Sequence, residues 1–268
     1  MYDAFSNDYD RFVNWPSRLG YELPFIEGQL NEIKTGQPSR PVRVLDAACG
    51  TGMHAIALAQ RGFATAGADL SAGMIEHARA NAAAAGLVIP FEAVGFSGQE
   101  QVFKRQALFP FDALLCLGNS LPHLLSAADL AGALANFAAC LRLGGLLLVQ
   151  NRNFDALMAR RERWMEPQSH RQGQGEWIFL RFYDYAPDGW IDFNILTLQR
   201  EGDGAWAQRI TTTRLRPLLQ DELSTALAEA GFERLTFYGD MRAAGFDAQN
   251  SGNLIATAFK RLIYPKRH

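Results

Sequence analysis

From residue 42 onward, short apolar runs alternate with stretches of helical spacing. The runs at 42–46, 64–69, 88–94, 111–117 and 145–151 are strand-sized, and the first two end in an acid, Asp46 and Asp69. Between them, 53–61, 72–85 and 130–143 place apolar residues at helical intervals, and Gly62 and Gly86 close the first two. This alternation predicts parallel βαβ units with right-handed crossovers and a ligand site beyond the carboxyl ends of the strands. Ahead of it, Leu23, Ile26, Leu30 and Ile33 predict a helix over 19–33, with Pro24 in an early turn, where its missing N–H does least harm. A Gly/Pro-rich stretch at 35–41 reads as a linker.

The period changes after Arg152. Residues 155–163 read as a helix and 168–175 as a polar loop. Then 177–185, 190–199 and 207–215 alternate and are rich in aromatic and β-branched residues, with turns at 187–189 and 201–204. This predicts an antiparallel meander inserted into an α/β chain. A helix over 217–231 and strands over 232–238 and 254–261 follow. Trp177, Phe182, Tyr183, Tyr185 and Trp190 suit a packed sheet face, and alternation alone does not say which of them line a pocket.

Of the 268 residues, 48% are apolar and 20% charged, which excludes a disordered chain. A net charge of −2 supplies no basic field, so no nucleic-acid partner is expected. Three cysteines, none in a C-x-x-C pair, suit reduced thiols better than a disulfide framework. His54 and His77 lie within predicted helices without ligand spacing, so no metal site is expected. The start of the chain is acidic and aromatic, not basic then apolar, and no run approaches the ~18 apolar residues of a membrane span. The expectation is a cytoplasmic protein with no membrane partner.

The sharpest chemistry lies in Val44-Leu45-Asp46-Ala47-Ala48-Cys49-Gly50-Thr51-Gly52. A strand runs through an acid into a glycine turn and then a helix. Gly50 and Gly52 allow positive φ and close approach of a ligand to the backbone. Asp69, at the end of the next strand, can accept both hydroxyl protons of a ribose. Gly50-x-Gly52-x-x-Ala55 also fits a loose dinucleotide fingerprint. Asp46 favours S-adenosylmethionine, because a carboxylate beside the turn suits an ammonium group and opposes a pyrophosphate. A dinucleotide site and a purely structural turn remain as alternatives.

Residues 46–52 with Asp69 resemble the cofactor loop of the class I S-adenosylmethionine-dependent methyltransferases, and the likeness runs from Val42 to Val149. Two further segments, 115–124 (Leu-Cys-Leu-Gly-Asn-Ser-Leu-Pro-His-Leu) and 150–155 (Gln-Asn-Arg-Asn-Phe-Asp), resemble the glycine and sarcosine N-methyltransferases, as do the inserted meander and an N-terminal segment bearing Tyr9 and Arg18. The resemblance implies a Rossmann-like α/β sheet flanked by helices, with an inserted antiparallel β cap. Its divisions are an N-terminal lid and helix (1–40), an S-adenosylmethionine-binding core (41–152), a helix plus cap (153–216) and the C-terminal part of the core (217–268). The implied cofactor residues are Tyr9, Arg18, Asp46, Ala48, Gly50, Gly52, Asp69, Leu70, Met74, Gly95, Phe96 and Leu117. Members of the family commonly carry a polar or acidic residue for the adenine after the third strand. Here Val94-Gly95-Phe96-Ser97 stands there, so backbone groups near Gly95 and the Phe96 ring take that place.

Asn119 and His123 are implied beside the methyl acceptor, and Arg152 on an acceptor carboxylate through its planar fork. Direct transfer needs no enzyme nucleophile, so Cys49 serves only as a small side chain. The implied activity is methylation of a small molecule, an amine or amino acid. Alternatives are an O-methyltransferase, which would need a deprotonating histidine, and a cofactor-binding module without turnover. Tyr2, Phe5, Tyr9 and Phe12 are expected to order over the cofactor, and a homo-oligomer is compatible with the sequence.

Overall fold

In the computed structural model, which describes residues 9–34 and 40–262, the predicted alternation forms a seven-stranded sheet of order β10-β11-β5-β4-β1-β2-β3. Strands β1 (Arg43–Asp46), β2 (Ala64–Asp69), β3 (Phe91–Ala93), β4 (Phe111–Cys116) and β5 (Leu141–Arg152) run parallel. Strand β11 (Asn253–Lys260) pairs antiparallel with both β5 and β10 (Phe232–Tyr238). The central strand β4 is buried at every position, as a strand covered on both faces must be. Leu114 and Cys116 point to one face, with Leu147, Phe137 and Leu223; Ala113 and Leu115 point to the other, with Leu23, Ile26 and Leu30. Each fully buried Leu or Phe there contributes about 1.5–3 kcal/mol. The chain goes one way from β1 to β2 and the other way to β4, so a crevice opens at the carboxyl ends between them.

Helices α1 (Trp15–Lys34) and α2 (Met53–Ala59) belong to one side; α3 (Ala72–Ala84) follows β2; α4 (Gln99–Phe103) and α5 (Ala127–Cys140) connect β3, β4 and β5. At the far edge, Asp112 accepts from the Arg40 and Arg142 guanidinia and from the Arg43 N–H. Burial pushes this carboxyl up, but those bonds outweigh it and hold it below the usual range. No helix among the described residues is long and apolar enough to cross a membrane.

After β5 come α6 (Phe154–Arg160) and a separate antiparallel sheet of β6 (Gln168–Gln172), β7 (Gly175–Tyr185), β8 (Ile191–Glu201) and β9 (Ala207–Leu215) in that order. The inner face of this cap carries Trp177, Phe179, Tyr183, Ile191 and Ile195, all buried. They pack on Tyr9 and Phe12 at one end and on Phe154 and Leu157 at the other. Helix α7 (Gln220–Glu229) returns the chain to the main sheet.

The structure corrects the sequence reading in four places. Pro24 sits inside α1, not in an early turn. Gly20, Pro24 and Gly28 are all exposed, so water can satisfy the Gly20 carbonyl that the proline leaves unbonded, while Leu23, Ile26 and Leu30 anchor the opposite side. The third strand shrinks to Phe91–Ala93, because Val88 lies fully in solvent at the sheet edge. The polar stretch read as a loop contains β6, an edge strand held by backbone pairing to β7 and mostly exposed, so it has no apolar alternation to betray it. Helix α5 ends at Cys140, and Leu141 already pairs with Phe111 in β5.

Candidate functional site

The glycine turn after β1 is held from both sides of the crevice. The Ala47 N–H donates to the Leu115 carbonyl at 2.8 Å and the Cys49 N–H to the Ala68 carbonyl at 2.8 Å. Gln99, wholly buried, donates to the Ala47 carbonyl at 2.8 Å. Gly50 adopts φ 52°, and a Cβ there would lie 3.7 Å from the Tyr9 ring. Its N–H donates to Asp69 Oδ2 at 2.9 Å, while the Ser71 N–H donates to Asp69 Oδ1 at 2.9 Å. Each Asp69 oxygen therefore takes a backbone donor, which fixes the carboxylate beside the turn. Ser71 caps α3 by accepting from the Met74 N–H. Gly52 does something else. Its φ is 81°, and a Cβ there would meet the Phe91 ring at 2.9 Å and the Ala78 Cβ at 3.0 Å. It faces the packing under α2, away from the crevice.

The N-terminal segment lies over this turn. Asp10 accepts from Thr51 Oγ1 at 2.6 Å and from Trp15 Nε1 at 2.8 Å. Arg18 donates to both Glu22 oxygens at 3.1 Å and reaches the loop after β4, where a Cβ on Gly118 would lie 3.5 Å from its Nη2. Glu22 also meets His54 Nε2 at 2.6 Å. Burial pushes the Glu22 carboxyl up, but the His54 bond and the Arg18 charge outweigh it and leave it low. Asp46 is 2% exposed, and its Oδ1 has no hydrogen-bond partner. Burial drives its pKa up to about 6, against the opposing pull of His54, the Ala48 N–H and Arg18.

These groups surround a cavity of about 640 Å³, a volume suited to a small-molecule site. Of the residues expected to bind cofactor, Tyr9, Arg18, Asp46, Ala48, Gly50, Asp69, Leu70, Met74, Gly95, Phe96 and Leu117 line it, and Gly52 does not. Phe96 meets Phe137 edge-on at 5.3 Å, so its ring is anchored from behind. Among the expected acceptor residues His123 lines the cavity, and Asn119 and Arg152 stand outside its wall. Burial pushes His123 down to about 4, so the imidazole is neutral at pH 7.

Asn119 adopts φ 66°, donates its N–H to the Gln150 carbonyl at 3.1 Å and accepts the Arg152 N–H on Oδ1 at 2.9 Å. It ties the loop after β4 to the end of β5. Arg152 Nε is buried without a hydrogen bond. Burial raises the Tyr183 phenol to about 12, and the Arg152 charge opposes that shift. Tyr2 and Phe5 of the expected aromatic lid lie outside the described residues.

The sequence reading missed Asp10, Trp15, the Glu22–His54 pair and Thr213 of β9, which enters the cavity wall from the cap. None carried a local signal, since each acquires its role from a partner distant in sequence. The arrangement fits S-adenosylmethionine. Asp46 offers an unmet carboxylate oxygen to a cationic group, Arg18 a guanidinium to a carboxylate, and Asp69 two oxygens to a ribose. Leu70, Met74 and Phe96 offer an apolar slot to a base.

Residues 44–145 match the family model described as a methyltransferase domain. The chain is 30% identical over 240 residues to a glycine/sarcosine N-methyltransferase of Aphanothece halophytica, covering 90% of this chain and 82% of that one. It is 29% identical over 246 residues to a glycine/sarcosine N-methyltransferase of Halorhodospira halochloris, covering 92% and 84%. The crystal structure of an S-adenosylmethionine-dependent methyltransferase from Clostridium acetobutylicum superposes with a TM-score of 0.74 at 16% identity, over 97% of this chain and 99% of that one. With the turn, the acid that ends the second strand and the sheet order agreeing, this chain belongs to the class I S-adenosylmethionine-dependent methyltransferases and is an enzyme of that family.

Proposed function

We propose that the protein methylates the nitrogen of a small amine that carries a carboxylate, an amino acid. The observation that carries this reading is Arg152. Arg152 ends the last parallel strand at the carboxyl edge of the sheet, two residues before Phe154, which packs with Tyr183 of the cap, and its buried Nε has no hydrogen bond. A buried donor left without a partner is costly, and an acceptor carboxylate relieves it. The relatives named for glycine and sarcosine support the same class.

Bound S-adenosylmethionine supplies a methyl group already activated on a sulfonium. What remains for the chain is to orient the acceptor, exclude water and hold the reacting atoms in line. Asn119 fixes the backbone from which Arg152 projects, and His123 offers a neutral imidazole to the acceptor. An amine needs no enzymic base if it binds with its lone pair free. A phenol would need one, and burial leaves His123 a poor base, which favours nitrogen over oxygen. The test is incubation with labelled cofactor and glycine, sarcosine, glycinamide, ethanolamine and phenols. Label entering the amino acids and not the phenols supports the reading; label entering only phenols, or no acceptor, overturns it.

A further inference from the structure

The inner face of the cap holds a second guanidinium that the reading above does not use. Within β7, Trp177, Phe179, Arg181 and Tyr183 alternate onto the buried face, in register with Ile195 and Phe193 of β8 and with Thr211 and Thr213 of β9. Thr213 lines the cavity, and so does Tyr9, which packs with Phe12 on this face; Arg181 and Tyr183 stand behind that wall. The Arg181 guanidinium lies 5.0 Å over the Phe12 ring, and Phe12 packs edge-on against Phe179 at 5.5 Å. Its Nε is buried and, like that of Arg152, has no hydrogen bond. Among the described residues neither side chain has an ion pair. Burial holds the Arg181 guanidinium below its ordinary range; Tyr183 opposes this and the Arg152 charge adds to it. The nearest acid in sequence, Asp184, points to the other face, where it accepts from Arg163 at 2.7 Å and Asn194 at 3.0 Å. The charges of both arginines act on Tyr183, whose ring meets Phe193 at 5.5 Å and whose hydroxyl makes no hydrogen bond among the described residues.

Arg181 and Tyr183 stand two positions apart on the inner face of β7, Tyr183 packs in one cluster with Phe154, two residues beyond Arg152 at the end of β5, and the Nε of each arginine is buried without a hydrogen bond. We propose that Arg181 is a second binding residue for the acceptor, so that its carboxylate is gripped between Arg152 and Arg181 with the Tyr183 hydroxyl as a further donor. This rests on the amino-acid reading. A carboxylate has about four lone-pair sites, enough for both forks at once. Anchoring from two elements also fixes the plane of the carboxylate, which one fork leaves free to pivot. The cap thereby becomes a contributor to acceptor selection and not only a cover.

The test uses the full chain saturated with S-adenosylhomocysteine, with acetate as a probe that has the carboxylate but no amine. Acetate affinity, read by calorimetry, should fall at least tenfold in Arg181→Gln and in Arg152→Gln, and the double variant should fall by less than the product of the two, because both grip one anion. Arg181→Lys should restore part of the binding. In turnover, Arg181→Gln should raise KM for glycine or sarcosine at least tenfold, leave glycinamide unaffected and leave the affinity for S-adenosylhomocysteine unchanged. Acetate binding and KM equal to the parent in folded Arg181→Gln overturn the second residue while leaving the amino-acid reading intact. A loss of acetate binding with no amino acid methylated upholds the anion subsite and removes the amino-acid reading. If Arg181→Gln does not fold, the Lys variant and the free parent's preference for acetate over acetamide carry the decision; no preference overturns the proposal.

Discussion

The two halves of the site are built on different principles. On the cofactor side, the ligand-facing groups belong to a turn whose own hydrogen bonds are nearly complete: Gly50 and Ser71 donate to Asp69, Cys49 donates to Ala68, and Gln99 clamps Ala47. Binding there adds to a preformed cradle. On the side proposed for the acceptor, Arg152 of β5 and Arg181 of the cap each keep a buried Nε without a hydrogen bond. The proposed division is therefore between a cofactor held by a braced turn and its acids, and an acceptor held by side-chain charge, which single substitutions can alter without disturbing the turn.

The largest expected break in this division is Arg152→Ala. It should remove about 2–4 kcal/mol of transition-state stabilisation, lowering kcat/KM for an amino-acid acceptor about 30- to 1000-fold while the cofactor dissociation constant stays put. Steady-state kinetics beside calorimetry checks it, and a parallel loss of cofactor affinity would blur the two halves into one.

Asp69→Ala should do the reverse. Losing charge-assisted bonds of about 1.5–3 kcal/mol, the variant should bind S-adenosylmethionine roughly ten- to a hundredfold more weakly, with unchanged KM for the acceptor at saturating cofactor. Unchanged cofactor affinity in a folded variant would remove Asp69 from the ribose role.

A third substitution separates the two glycines of one motif. Gly52→Ala places a Cβ within 2.9 Å of Phe91 at a positive φ, so overpacking should destabilise the fold by about 1–3 kcal/mol. Thermal unfolding should shift down by several degrees while the folded fraction binds cofactor normally. Gly50→Ala, next to Tyr9 and the cavity, should weaken cofactor binding more than Gly52→Ala does.

The smallest effect concerns Asp46, whose pKa burial raises to about 6 in the protein alone. A cationic ligand beside it favours the carboxylate, so the complex holds fewer protons than the free protein. Affinity for S-adenosylmethionine should therefore rise with pH through about 6, by roughly tenfold between pH 5 and pH 7. Asp46→Asn should flatten this profile. For the protein alone the sign is opposite: a raised carboxyl makes the folded form bind more protons, so this group's contribution to stability grows as pH falls from about 6 toward the unfolded value near ~3.9.

Local chemistry made the cofactor half readable. Strand, acid, glycine turn and helix follow one another within residues 44–59, and Asp69 ends the next strand, so period and turn chemistry were enough to place Asp46, Gly50 and Asp69 together. The same local view gave Gly50 and Gly52 one role, because a positive φ is visible in sequence and the direction that a missing Cβ would point is not. It took 168–175 for a loop, since β6 is held by backbone pairing that leaves no mark on side-chain composition.

What the sequence determined by itself was therefore the order of strands and helices in the main sheet, the turn and its acids, and the position of Arg152 at the end of a strand. These follow from apolar period, capping and turn preferences, which act over a few residues. What tertiary structure decided was which polar groups meet. Glu22 finds His54 across thirty-two positions, and Arg40 finds Asp112 across seventy-two. Arg181 shares the inner face of the cap with Tyr183 only because a strand in the cap has one register and not the next, and a shift by one residue would turn it to the outer face. Long-range encounters of this kind are fixed by how faces pack, and no short window of sequence contains that information.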